Sequence, residues 1–365
     1  MSLVLDGLDP LVRELRDRGY RVIGPTVRDG AIVLGELTGA DELPWGVGVE
    51  LAAGRYRLRE RGDDAAFGHS AGPQSWKPYL RPPRQKLWDA RRTERGFEVR
   101  EPEEEPVRYA FLGVRPCDLR ALEVTDRVLG GGRYADTAYT ARRDRAFVIV
   151  VNCTEPGETC FCASMGTGPG AESGYDLALT ERAGPRYVAD AGTDEGAAVL
   201  AAIPHAEADD GTVAAARADV AAAAGRMGRT MPEADLRDLL AARLGSPRWD
   251  DVASRCLTCG NCTMVCPTCF CTTVEDVTDV TGDHAERWRT WDSCFDLDFT
   301  HLGAGPVRGT PRSRYRQWLT HKLGTWHDQF GSSGCVGCGR CIVWCPVGID
   351  LTEEVAALHA EGDGA

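Results

Sequence analysis

Two copies of one cysteine run decide what this chain can fold around. Cys256-Leu-Thr-Cys259-Gly-Asn-Cys262-Thr-Met-Val-Cys266-Pro267 has the spacing C-x2-C-x2-C-x3-C-P, and Cys335-Val-Gly-Cys338-Gly-Arg-Cys341-Ile-Val-Trp-Cys345-Pro346 repeats it. Three closely spaced thiolates on a tight turn can wrap three corners of one 4Fe-4S cubane. Gly260 and Gly339 let the backbone fold around it with amides aimed at the sulfurs. The fourth cysteine begins a segment that points away, so it ligates the other cluster. The spacing therefore predicts two 4Fe-4S clusters, one held by Cys256, Cys259, Cys262 and Cys345, the other by Cys335, Cys338, Cys341 and Cys266. Structural zinc sites use two separated ligand pairs. Four cysteines in so short a run, closed by proline and repeated, depart from that pattern. The segment 267–334 between the runs is longer than the joint of a small ferredoxin, so an insertion is expected there.

The chain has 15 cysteines, and seven lie outside this set of eight. Cys117 and Cys153 each follow a predicted strand, and Cys160-Phe-Cys162 comes one loop later. If the two strands are parallel neighbours, these residues meet at one carboxyl edge, where open α/β sheets place their sites. Cys117, Cys153, Cys160 and Cys162 are therefore candidate ligands of a third 4Fe-4S cluster, with buried inert thiols as the alternative. Cys269, Cys271 and Cys294 have no evident fourth partner and read as packing thiols or as competitors for a third cluster. The glycine-rich Gly166–Gly174 does not sit between a strand and a helix as a dinucleotide loop must. It reads as a turn shaping the cysteine pocket.

The other residues place these motifs. With 365 residues, of which 43% are apolar, the chain can bury two or three domain cores. A net charge of −13 argues against nucleic acid and against a polybasic membrane surface. No run reaches the roughly 20 apolar residues of a spanning helix. The mixed-charge start is unlike a secretory signal, so a cytoplasmic protein is expected. In a reducing compartment, many cysteines mean metal or redox chemistry before disulfides. Residues 21–24 and 31–37 read as strands around Asp29-Gly30, 47–51 and 55–59 as a second hairpin, and 107–114 and 146–151 as buried strands. A helix is expected from Asp118. The fold class is α+β: a mixed α/β domain over 1–195, an alanine-rich helical connector over 196–230, and an α-helical dicluster ferredoxin domain over 231–365. Within the last, helices are expected around 236–244, 313–330 and 351–359, the final one opened by a capping box of Asp350 and Glu353. Arg308, Arg312, Arg314, Arg316 and Lys322 of the insertion either offset cluster charge or form a solvated basic face.

Several segments together resemble a known family. They are Gly72-Pro-Gln-Ser-Trp-Lys77, Pro82-Pro-Arg-Gln-Lys-Leu-Trp88, Gly113-Val-Arg-Pro-Cys-Asp118, Cys160-Phe-Cys-Ala-Ser-Met-Gly166, Cys266-Pro-Thr-Cys-Phe-Cys271, Trp291-Asp-Ser-Cys-Phe295 and the second ferredoxin run. The chain is similar over about residues 65–355 to the beta (iron-sulfur) subunits of sulfhydrogenase-type cytoplasmic nickel-iron hydrogenases. It is similar throughout to the corresponding subunit of anaerobic sulfite reductase, which is in the same family. The resemblance implies an electron-transfer subunit of a multisubunit complex. Its partners would be a catalytic subunit and one that binds flavin and NAD(P). The hydrogenase is the preferred reading and the reductase the alternative. A third reading is an oxidoreductase with its own active site in the N-terminal domain, lined by Arg115, Asp118 and the 160–174 loop. No catalytic residue is assigned.

Overall fold

The computed structural model describes residues 2–70, 72–102 and 107–361. Its centre is the strand Phe147–Val151, buried at every position. Phe147, Ile149 and Val151 enter one core with Leu11, Leu15 and Val199. Val148 and Val150 enter the opposite core with Leu119, Leu122 and Tyr139. A strand covered on both faces reads as an unbroken apolar run, which is why this one is visible in the sequence. Around it an eight-stranded sheet runs in the order Ala206–Glu207, Leu3–Leu5, Arg186–Ala191, Leu177–Arg182, Phe147–Val151, Tyr109–Val114, Arg21–Arg28, Ala31–Glu36. The contacts Arg21–Arg28 to Tyr109–Val114, Tyr109–Val114 to Phe147–Val151, and Phe147–Val151 to Leu177–Arg182 are parallel. Asp29 and Gly30, with φ of 51° and 73°, make the tight turn joining the last two strands of that order. Val47–Ala52 and Arg55–Glu60 form the second expected hairpin.

The C-terminal region packs Leu236–Ala242, Arg248–Arg255, Pro311–Thr320 and Leu351–Ala360 around a core that includes Trp249, Phe295, Tyr315, Trp318, Leu319 and Val355. The last helix starts where expected, but its cap differs. The Asp350 carboxylate accepts from the Thr352 N–H (2.9 Å) and hydroxyl (2.6 Å), so Thr352 takes the place foreseen for Glu353. Two further departures matter. The alanine-rich segment is no free connector: Ala206–Glu207 extends the central sheet, and the helix Asp210–Ala224 packs on Leu177–Arg182 and Arg186–Ala191. Small side chains such as Ala216 and Ala223, both buried, let that helix lie close without large anchors. The insertion is also partly β. Thr272–Thr278 and His284–Trp291 form a hairpin whose second strand pairs with Arg84–Thr93, and that strand pairs with Gly96–Arg100. Threonine and valine suit a strand, but the strand that completes the sheet lies far away in sequence. Helical spacing over the rest of the insertion hides it.

The two halves are joined by charge. The Arg340 guanidinium, in the second cysteine turn, donates to Asp118 Oδ1 (2.6 Å) and Oδ2 (2.8 Å), and its Nε donates to the Gly72 and Gln74 carbonyls. Both side chains are buried, at 3% and 4% exposure. Asp118 stands in the first turn of the helix Pro116–Thr125, directly after the central strand Tyr109–Val114. Removing one member of such a pair leaves a buried charge without compensation, typically costing about 3–5 kcal/mol. Asp118→Ala is expected to lose stability on that scale in anaerobic urea unfolding followed by circular dichroism. A loss under about 1 kcal/mol would show that the pair does not join the halves.

Candidate functional site

The two cysteine turns have the same backbone. Thr258 and Gly337, at equivalent positions, have φ of 51° and 66°, and Gly260 and Gly339 both have φ of 74°. Each of the latter begins a short helix, Asn261–Met264 or Arg340–Val343, that carries the fourth cysteine off the turn. The surroundings decide the difference between Thr258 and Gly337. A Cβ on Gly337 would lie 2.6 Å from Cys162 Cα, because the loop 159–162 packs on the second turn. The Phe161 N–H donates to the Gly337 carbonyl (2.9 Å) and the Thr167 hydroxyl to the Val336 carbonyl (2.7 Å).

The runs cross in space. Cys256, Cys259, Cys262 and Cys345 line one cavity together with Cys341, Phe295, Tyr315, Trp318, Ile349 and Leu351. Burial pushes the Cys262 thiol well up, and Cys256, Cys345 and Cys259 beside it push further. The Thr258 and Ile349 N–H groups donate to Cys256 Sγ (3.4 Å) and Cys345 Sγ (3.3 Å). Cys266 lies instead with the second run. Burial raises Cys341, and Cys335, Cys338 and Cys266 add to it. Cys335 is pushed up to about 12, first by burial. Among the described residues no three His, Cys, Asp or Glu side chains close on a point that could hold a single metal ion. The buried Tyr315 hydroxyl and Trp318 indole N–H, from two residues lining the first cavity, have no partner among protein groups. Thiols at the corners of a cavity, amides on their sulfurs and spare donors in its wall fit a cluster larger than one ion.

A third thiol group lies at the carboxyl edge of the central sheet. Tyr109–Val114 and Phe147–Val151 are parallel neighbours, so Cys117 and Cys153 leave the sheet on the same side. Burial raises the Cys162 thiol, and Cys160, Cys153 and Cys338 raise it further. Cys117 is raised by burial, then by Asp118, Cys162 and Cys338. The glycine-rich loop packs here: a Cβ on Gly168 would lie 3.1 Å from Cys162 Sγ. The three remaining thiols divide: Cys269 is hydrogen-bonded to Cys266, and Cys271 to Cys294. Cys271 is held down at about 7, first by a hydrogen bond from Cys294 and against the cost of burial.

Of the insertion's basic residues, only the Lys322 ammonium donates directly to a cysteine sulfur among the described residues. Arg312 pairs with Asp250 (3.0 Å), Arg314 Nη1 donates to the Phe295 carbonyl (2.7 Å), and Arg316 Nη1 donates to the Leu244 carbonyl (2.7 Å). Lys77 is the cation that sequence reasoning overlooked. Its ammonium donates to the Met264, Cys266 and Cys269 carbonyls at 3.2–3.4 Å and stands 3.9 Å over the Trp291 ring. Burial lowers it to about 8. Only three lysines occur in the chain, a scarcity that reads from composition alone as codon usage and says nothing of where they lie. Trp318 and Trp326 are core residues, and the half-buried Trp288 and Trp291 lie under Arg84 and Lys77, each at 3.9 Å. Arg115, a candidate pocket residue, donates to the Phe67 and His69 carbonyls and is buried.

A pair of crossed cysteine turns in a two-lobed α+β chain defines an iron–sulfur protein of the dicluster ferredoxin class. Residues 255–349 match the family model of the 4Fe-4S dicluster domain. The chain is 33% identical over 265 residues to sulfhydrogenase 2 subunit beta of Pyrococcus furiosus, covering 70% of this chain and 75% of that one. It belongs to the sulfhydrogenase beta-subunit family. No solved structure matches it. No helix among the described residues is long and apolar enough to cross a membrane.

The packing on the second turn has a direct consequence. Gly337→Ala is expected to cut iron incorporation to about half, because the turn meets backbone that cannot yield. Thr258→Gly is expected to keep the wild-type content, since Thr258 already takes the left-handed conformation that glycine adopts freely. Iron per chain after anaerobic purification checks both, and equal content in Gly337→Ala and wild type would contradict the packing argument.

Proposed function

We propose that this chain is the electron-relay subunit of a cytoplasmic multisubunit oxidoreductase, carrying electrons between a catalytic subunit and one that binds flavin and NAD(P). The nickel-iron hydrogenase is the preferred complex, supported by the family relationship. The alternative is the sulfite reductase complex. Each 4Fe-4S cluster supplies one-electron storage and transfer. Cys256, Cys259, Cys262 and Cys345 would hold the first, and Cys335, Cys338, Cys341 and Cys266 the second. Cys117, Cys153, Cys160 and Cys162 are candidate ligands for a third.

The observation that carries this reading is the line of thiol groups through the chain. Cys259 is exposed at one end. Cys341 of the second set borders the cavity of the first, and Cys338 of the second set faces Cys117, Cys160 and Cys162. A relay needs one site near a surface and others in contact behind it. The reading of an active site within the N-terminal domain loses two of its residues, since Asp118 is paired with Arg340 and Arg115 is spent on backbone carbonyls.

Two outcomes test this. Cys345→Ser should weaken the cluster of Cys256, Cys259 and Cys262 and leave the one beside it in sequence. Loss of only the Cys335–Cys341 signal in electron paramagnetic resonance would refute the ligand assignment. The protein purified from its source should carry a flavin subunit with it, and the isolated chain should show no NAD(P)H, hydrogen or sulfite turnover. Substantial NAD(P)H oxidation by the pure chain, with bound flavin, would favour an enzyme.

A further inference from the structure

Only three of the 42 Lys and Arg residues are lysines: Lys77, Lys86 and Lys322. Two of them are buried, Lys77 at 7% and Lys322 at 3% exposure. Both reach Cys266, the first at its carbonyl (3.2 Å) and the second at its sulfur (3.1 Å). A chain that uses arginine almost everywhere places two of its three compact point charges at one cysteine.

Lys322 is held as a donor. Its Nζ donates to Cys266 Sγ (3.1 Å), Thr268 Oγ1 (3.3 Å) and the Gly334 carbonyl (3.3 Å), with Cys269 Sγ at 3.6 Å. The Thr268 hydroxyl in turn donates to the Gly334 carbonyl (2.6 Å). The Lys322 carbonyl accepts from the Gly334 N–H (2.8 Å), so the residue grips Gly334, next to Cys335, by backbone and side chain together. Lys322 lies in a π-helical turn, His321–Thr325, between Pro311–Thr320 and Trp326–Phe330. Such turns interrupt a helix at a cost and recur at functional sites. The first cavity is walled differently, by Phe295, Tyr315, Trp318, Ile349 and Leu351.

We propose that Lys322 is a potential-setting residue: its ammonium, bonded to the Cys266 sulfur, raises the reduction potential of the cluster assigned to Cys335, Cys338, Cys341 and Cys266. This rests on the ligand assignment proposed above. A cationic donor on a ligand sulfur stabilises the added electron, and burial keeps water from screening it. The insertion then has a purpose beyond bridging the two runs, since it delivers this charge.

The test uses the full chain, purified anaerobically with any copurifying subunits. Iron is counted first, and an iron-free wild type would refute the ligand assignment itself. Lys322→Met and Lys322→Gln should keep their iron. In redox titrations followed by electron paramagnetic resonance, one cluster should lose at least tenfold in its one-electron reduction equilibrium, about 59 mV more negative. That signal should be the one lost in Cys266→Ser, and the other should not move. An unchanged potential in iron-replete variants overturns the proposal, as does a shift of the signal that survives Cys266→Ser. If both variants lose the cluster, Lys322→Arg decides. An iron-replete protein with wild-type potential supports a charge role, whereas loss there too means that Lys322 only packs the turn.

Discussion

Each cysteine turn presents three thiols and then sends its fourth cysteine away on a short helix toward the other turn. The rest of the C-terminal fold follows from that geometry. Pro311–Thr320 and Leu351–Ala360 have to hold the two turns face to face, and Tyr315, Trp318, Leu351 and Val355 are the core that does so. The same geometry makes the insertion tolerable, because its ends, Pro267 and Gly334, lie together. Thr268, next to Pro267, is hydrogen-bonded to Gly334.

The N-terminal lobe packs on the second turn itself, and it reaches the first run beyond its turn, where Lys77 donates to the Met264 and Cys266 carbonyls. Gly337 and Gly339 lie against the 159–162 loop so closely that a methyl group would meet backbone atoms at 2.6 and 2.4 Å. Arg340 crosses to Asp118 from the same turn. The first turn has Cys259 and Leu257 at the surface instead. The two halves of an internally repeated motif have thus taken different neighbours. One faces outward, and the other is built into the sheet lobe beside the third thiol group.

What was legible in the sequence follows physical range. Cysteine spacing is local and gathers three thiols on each turn. The rule that the fourth cysteine crosses over brings Cys345 to Cys256 without any knowledge of the intervening fold. Phe147–Val151 and the Asp29-Gly30 turn are also local signals. The sheet joining Arg84–Thr93 to His284–Trp291 was not legible, because its pairing is set by packing between distant segments. The same holds for Arg340, whose place in the ferredoxin run says nothing of Asp118. Lys322 was noted among five basic residues of the insertion, and only its burial against Cys266 and Thr268 separates it from the other four.

The central claim is that the two crossed turns each hold a four-iron cluster. Iron and acid-labile sulfide per chain, with spin quantitation of the dithionite-reduced protein, test it most directly. At least eight irons and eight sulfides per chain are expected, with reduced clusters whose signals broaden one another because Cys341 borders the cavity of the other group. Stoichiometric zinc without sulfide, or four irons in a fully loaded chain, would contradict it.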